Sequence, residues 1–400
     1  MLKKIYFFFI LILIFTGREN VFGKELAIYT LTNKERKGDM NQVMGIKEAL
    51  INKWRDSINN IDKDFDIKNT EALVEALSQP TNANIQRVLL TVGEEGIQVL
   101  QDVEEIKDLI TCHTSHMLTD KSLELIDHCD YIILPKHTVN KEFEQKISGT
   151  RSKLITTIGV PHNRTKEAAE SAYQEFMPDL PKAKSYIAIL LGGDAPDEKS
   201  KQRLFTANFA QELAHYIVKE AHRRQAHVFI LNGPRTGSRY PLEPHNIIPT
   251  AHKDGKPDYV TQTFVTTLKD KVKAGITLYD FQQNTPGQMD RVLGIIKLAG
   301  NKNVFFVPGD STSSVSETID VVGPMKVIAY WNTAMNTTHQ AHVDSEYNAG
   351  RLAYLNEFFI MNPIIKNDNS QSSSAAEQVA NTLIKDWAPF LNKQKFLENE

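Results

Sequence analysis

Short apolar runs recur along this chain, most of them rich in β-branched and aromatic residues and closed by glycine, proline or asparagine. Between them apolar residues return every three or four positions, the period of one helix face. Glu25–Thr32 (ELAIYTLT), Ile85–Val92 (IQRVLLTV), Asp108–Cys112, Asp130–Leu134 (DYIIL) and Lys153–Val160 (KLITTIGV) predict strands. Asp39 reads as a helix cap, with Gln42 three positions on and Val43, Ile46, Leu50 and Trp54 at helical spacing. Glu94–Leu100 predicts a further helix. Strands alternating with helices predict a parallel sheet with crossover helices.

Thr165–Met177 predicts a helical connector, broken by Pro178–Lys184 (PDLPKAK). The pattern then restarts. Strands are predicted over Ser185–Leu191, Ala226–Leu231, Ile276–Phe281, 304–307 and Lys326–Tyr330. Helices are predicted after a cap at Thr206, over Tyr259–Val272, from Thr285-Pro286 to Gly300, from near Ser314, and over Arg351–Ile360 and Ala375–Leu391. Residues 240–257 read as an irregular insertion. The expected organisation is a leader over 1–23, an α/β domain over 24–165, a linker over 166–183, a second α/β domain over 184–350, and C-terminal helices over 351–400.

A chain of 400 residues can bury two substantial cores. Its net charge of −3 is spread in both signs, with no basic block and no interleaved aromatics, which argues against nucleic acid as a partner. Cys112 and Cys129 either pair or stay free. Two cysteines cannot staple a fold of this length, and their spacing matches no metal motif. Lys3-Lys4 precede the apolar run Ile5–Phe15, and Val21 and Gly23 are small enough to flank a cleavage point. The run is short for a membrane span and suits a signal peptide; an uncleaved anchor is the second reading. Both place the body outside the compartment of synthesis, as a periplasmic or secreted protein or one held to the membrane by this segment alone.

Four loops follow predicted strands of the second domain and would converge on one edge of a parallel sheet: Gly192-Gly193-Asp194, Asn232–Arg239, Gln282–Gly287 and Pro308–Glu317. The last passes from strand to a hydroxyl-rich loop to a helix start, the shape of an anion site. Ser314-Val315-Ser316-Glu317 is also a capping box, and that reading stands beside the first. Asp39 is either a cap or an acid–base group. His113 and His116 (CHTSH) form a pair of potential ligands without a third nearby. Gly309-Asp310-Ser311-Thr312-Ser313 lacks the glycine of a hydrolase nucleophile elbow.

These segments resemble the elongated-mitochondria (mitochondrial fission) family. The similarity lies in Thr32–Leu50 with Asn41-Gln42 and Gly45, in Asp130–His137 (DYIILPKH), and in Ile158–Thr165 (IGVPHNRT). It continues in Leu190–Asp194 (LLGGD), Pro234–Pro241, Asp310-Ser311 through Ser316-Glu317, and Asn348–Phe358, which looks like the family's closing arginine-containing helix. The resemblance implies a GT-B-like architecture: two Rossmann-like domains facing a cleft, with a C-terminal helix returning towards the first. It implies a metal-independent, cofactor-free glycosyltransferase-like site that binds a nucleotide-sugar donor at the second domain. Gly192, Gly193, Asp194, Asp310, Ser311, Ser313, Ser314, Ser316 and Glu317 are its candidate binding residues, with Arg235 or Arg239 as the cation. Glu317 would bond the donor ribose or close the capping box. Asp39 and His137 are the candidate general bases towards an unknown acceptor.

Departures from the family point to reduced or absent activity. Asn33–Lys37 is charged where the family is glycine-rich, Thr138 stands where the family has Asp, and the family's Ser-Arg-Arg-Thr-Pro loop is disrupted into Pro-Arg-Thr-Gly-Ser-Arg. Export also conflicts with a cytosolic nucleotide-sugar donor. The alternatives are a non-catalytic binding or interaction module on the same fold, or a periplasmic two-lobe ligand-binding protein.

Overall fold

Glu25–Thr32 forms β1, and its side chains alternate between two buried faces. Leu26 and Ile28 pack on Val43, Ile46 and Leu50 of helix α1 (Lys37–Lys53), while Ala27, Tyr29 and Leu31 pack on Leu73 and Leu77 of α2 (Thr70–Ser78). Four further strands continue the sheet: β3 (Ile85–Val92), β4 (Leu109–Thr114), β5 (Tyr131–Pro135) and β6 (Lys153–Thr157). With β2 (Asp62–Asp66) the order is β2-β1-β3-β4-β5-β6, and every pairing is parallel. The crossovers carry the short helices α3 (Gly93–Gln98), α4 (Leu100–Val103), α5 (Asp120–Glu124) and α6 (Lys141–Ser148). The computed structural model describes residues 25–53, 62–81, 85–197, 201–238, 241–243, 246–247, 256–281, 287–365 and 373–391. The expected leader over 1–23, Trp54, Arg239 and Thr285-Pro286 lie outside these residues. Among the described residues no helix is long and apolar enough to cross a membrane.

Helix α7 (Lys166–Phe176) starts on the Thr165 side chain, which accepts from the Ala168 amide. It buries Ala169 among Val292, Leu293, Ile295 and Ile296, so the helix read as a linker packs on the helix Gln288–Leu298 of the second domain. That part of the chain runs β7 (Ser185–Leu190), β8 (Ala195–Pro196), β9 (Gln202–Arg203), α8 (Ala207–Arg224), β10 (Ala226–Leu231), β11 (Pro241–Glu243), β12 (Asn246–Ile247), α9 (Tyr259–Leu268), β13 (Ile276–Tyr279), α10 (Gln288–Leu298), β14 (Val304–Pro308), α11 (Thr312–Val322), β15 (Val327–Tyr330), α12 (Thr337–Asn348), β16 (Ala353–Leu355), β17 (Met361–Asn362) and α13 (Ala375–Leu391).

The second sheet has the order β13-β10-β7-β14-β15-β16-β17, parallel except for β17. Numbered from its own first strand, its parallel part reads 3-2-1-4-5-6, the order of a dinucleotide-binding sheet. The switch in direction falls between β7 and β14. The chain therefore builds two Rossmann-like domains in a GT-B-like arrangement.

The structure departs from the expected C-terminal part and adds elements that were not expected. Arg351–Ile360 is not helical, and 351–400 is not a purely helical tail, because β16 and β17 extend the second sheet. Helix α12 was not anticipated, since its buried face carries His342 and Glu346 beside Val343 and shows no apolar period. Nor were β2 and α2: β2 (DKDFD) is an edge strand whose charges face outward.

Helix α13 does return to the first domain. Val379, Leu383 and Trp387 enter the same cluster as Leu26, Ile28 and α1. Asp386 accepts from the Tyr131 hydroxyl (3.3 Å) and the Lys153 ammonium (3.0 Å). A buried polar chain closes the junction between the domains. His162 meets Asp320 (2.9 Å), Asp320 meets Arg351 (2.7 Å), and Arg351 meets Glu346 (2.6 Å). Ser316 Oγ donates to Glu346 (3.2 Å) and accepts from the Val160 amide (3.0 Å). Burial alone would push the Asp320 carboxyl up, but His162 and Arg351 outweigh it and hold it below its usual value.

Candidate functional site

The loops that leave β7 and β14 diverge at the switch point of the second sheet, and a cleft of about 310 Å³ opens there. Asp310, 1% exposed, ties its walls together. Its carboxylate accepts from the Gly193 amide (3.1 Å) and from Asn332 Nδ2 (2.5 Å), and Arg235 Nη2 stands 3.9 Å away. Burial pushes the Asp310 carboxyl up, against the pull of Arg235, Asn332 and Gly193. The two glycines permit this closeness. A Cβ on Gly192 would lie 2.8 Å from the Asp310 carboxylate, and one on Gly193 would lie 2.6 Å from Cβ of Arg235. Asp194 braces the same loop from behind, accepting from the Phe205 amide (3.0 Å) and the Ser238 hydroxyl (3.1 Å).

Two helices begin at this cleft, and neither has a side-chain cap. α11 starts at Thr312, with Ser311 as its uncapping N-cap residue, and α10 starts at Gln288 after Gly287. Other helices open on a side-chain acceptor, as at Asn69, Asn140, Thr165, Thr206, Asp258 and Asn336. Ser311 Oγ donates to Ser314 Oγ (2.8 Å) instead of serving the helix. The first-turn amides of both helices thus lack intrahelical and side-chain partners among the described residues, and Gln288, Met289, Ser311 and Ser314 line the cleft. Two positive dipole ends and the half-exposed Arg235 favour an anion there. The opposite wall is apolar, made by Leu231, Pro234, Tyr279 and Phe281. Asn232 joins the β10 and β13 loops, accepting from the Phe281 amide (2.9 Å) and donating to Asp280 (3.3 Å).

Several expected roles change. Helix α11 begins at Thr312, so no capping box forms between Ser314 and Glu317. Glu317 accepts from Arg164 Nε (2.9 Å) instead. Ser316 does not reach the cleft, because it turns to Val160 and Glu346 at the domain junction. Asp194 and Gly192 stand behind the cleft wall, and Ser313 does not line it. Gly193, Arg235, Asp310, Ser311, Ser314 and Glu317 do. Arg239 lies outside the described residues.

Neither candidate base lines the cleft. Asp39 is not a cap, since α1 begins at Lys37 and places it in the first turn. Its carboxylate is 4.0 Å from both Arg36 and His116. His137 follows β5 and meets His342 of α12 edge-on, with ring centroids 4.8 Å apart. Burial, then the charges of His116 and His339, lower His137 to about 4, which leaves it neutral but weakly basic near pH 7. It borders a separate cavity of about 500 Å³ with Lys136, Ile158 and Asp344. His113 is buried against Thr91 and does not join His116 in a ligand set. Among the described residues no group of His, Cys, Asp or Glu is placed to hold a metal.

Arg164 is the residue that sequence spacing missed. It comes from the segment joining the sheets and reaches the cleft, bridging Glu317 of α11 and Asp290 of α10. Its only signal was its place in the segment IGVPHNRT. Asn232, Tyr279, Phe281 and the start of α10 were also unread, because their roles depend on which strands become neighbours.

The profile of the family described as "Mitochondrial fission ELM1" matches residues 37–241, just over half of the chain. No curated protein matches it. Among solved structures, UDP-GlcNAc 2-epimerase from Methanocaldococcus jannaschii is similar at 12% identity and a TM-score of 0.48, covering 90% of this chain and 99% of that one. Sucrose-phosphate synthase from Thermosynechococcus elongatus is similar at 12% identity and 0.43, covering 92% of each chain. ADP-heptose LPS heptosyltransferase II from E. coli is similar at 9% identity and 0.41, covering 92% of this chain and 99% of that one.

Proposed function

The chain belongs to the mitochondrial fission ELM1 family, and from that premise we propose that it binds a nucleotide-sugar at the switch point of its second sheet, on a glycosyltransferase-like frame. The observation that carries this reading is the meeting of two uncapped helix starts with Arg235 in one cleft. Amide donors and a cation suit a diphosphate, whose charge they would hold without a metal. The apolar wall of Leu231, Pro234, Tyr279 and Phe281 suits a flat base at the other end. Binding without turnover is the second reading. It is favoured by one observation: among the described residues Arg164, in the segment after β6, is the first sheet's whole contribution to the cleft, and the candidate bases Asp39 and His137 stand elsewhere.

The segment over 1–23 is read as an export signal or membrane anchor, which would separate the protein from cytosolic donors. A topology reporter fused after Glu400 tests this, and a cytosolic signal overturns it. For the cleft, thermal-shift screening with UDP-, GDP- and ADP-sugars is the test. Stabilisation by at least one of them is expected, and it should vanish in a Ser311→Ala/Ser314→Ala/Arg235→Ala variant. A well-folded protein that responds to none overturns the reading. A response that survives the triple substitution overturns the choice of cleft.

A further inference from the structure

The cleft is an odd place for an anion by simple charge count. Asp310 and Glu317 line it, and Asp290 sits in the first turn of α10 beside it. Among the described lining residues only Arg164 and Arg235 carry positive charge. Arg235 is half-exposed and close to Asp310. Among the described residues the other two carboxylates pair with Arg164 alone. Its Nε donates to Glu317 Oε2 (2.9 Å), its Nη1 donates to Asp290 Oδ1, and all three side chains are largely buried. One guanidinium thus holds a carboxylate from each of the two helices whose open starts face the cleft.

We propose that Arg164 is a charge-selecting positioning residue: by neutralising Asp290 and Glu317 and fixing them against the walls, it lets the two helix starts accept a diphosphate. The inference rests on reading the cleft as the site of a nucleotide. Without Arg164 the cleft keeps its shape and its amides but gains two unpaired carboxylates, so a nucleoside diphosphate is repelled while the uncharged nucleoside is not. A bridge that merely held the fold together would weaken both ligands alike.

The test compares UDP, GDP and ADP with uridine, guanosine and adenosine by calorimetry and ligand-observed NMR. For the diphosphate that the wild type binds, Arg164→Gln weakens binding at least about thirtyfold. The matching nucleoside changes by less than about threefold, and Arg164→Lys recovers part of the loss. The triple variant Arg164→Gln/Asp290→Asn/Glu317→Gln, which carries no unpaired carboxylate and so keeps the fold, regains diphosphate affinity. Equal losses for diphosphate and nucleoside overturn the inference, as does a triple variant that is folded and fails to recover. Wild-type protein that binds no diphosphate overturns the nucleotide reading itself, and this inference with it.

Discussion

Arg351 is 1% exposed and bonds Glu346 (2.6 Å) and Asp320 (2.7 Å). A buried guanidinium gains little over an apolar core, but removing it takes the charged partner from Glu346, which keeps the Ser316 hydroxyl, and leaves Asp320 to His162. Arg351→Met is therefore expected to cost about 3–5 kcal/mol in urea unfolding. Adding Glu346→Gln should recover part of that, and an Arg351→Met cost below about 1 kcal/mol would show that water reaches the junction. At this level the sequence told residue types apart better than it told roles. Ser316 and Glu317 are adjacent, yet successive helix residues point about 100° apart. One is buried at the domain junction and the other lines the cleft. Asp310 and Gly193 were legible as loop residues; their hydrogen bond joins positions 117 apart in the chain and was not.

Helix α11 shows the same division on a larger scale. Its existence follows from strand, turn and apolar period, and its uncapped start comes from Ser311 turning to Ser314. Ser311→Asp would supply the missing cap, worth about 0.5–2 kcal/mol to the helix, and would place a charge where the anion is expected. The melting temperature without ligand should rise while affinity for the nucleotide falls at least about tenfold. A rise in both would mean that no anion docks at this helix. Elements with an apolar period were readable, including β1, β3, β10 and α13. Of the unread ones, α2 has that period in Leu73 and Leu77 and was overlooked, while two others break it for cause. α12 buries His342 and Glu346 in its inward face, and β2 carries charges on an open edge. The stretch after Gly350 was read as helix, because three residues of β16 are too few to show alternation.

The two domains are joined through polar groups whose charge depends on pH. His137 and His342 meet across the junction with Nδ1 atoms 3.4 Å apart, and burial lowers both, His137 to about 4 from 6.5. A histidine lowered in the folded state stabilises fully above its unfolded pKa, and that contribution is lost as pH falls towards the folded value. Stability should therefore decline between about pH 6.5 and 4. Urea midpoints across this range should fall more steeply in the wild type than in His137→Gln. Parallel slopes would place the pH dependence elsewhere. Most of the order of strands and helices and the doubled α/β plan were written in the local pattern, because apolar period and turn residues act within a few positions of one another; the return of α13 to Leu26 and Ile28 was implied by the family resemblance alone. The cleft required folding. The switch point arises only once β7 and β14 lie side by side, and Arg164 meets Asp290 and Glu317 only once the segment between the sheets is threaded past two helix starts. Contacts between residues more than a hundred positions apart leave no period to read, so which charges cancel in the site was decided by packing alone.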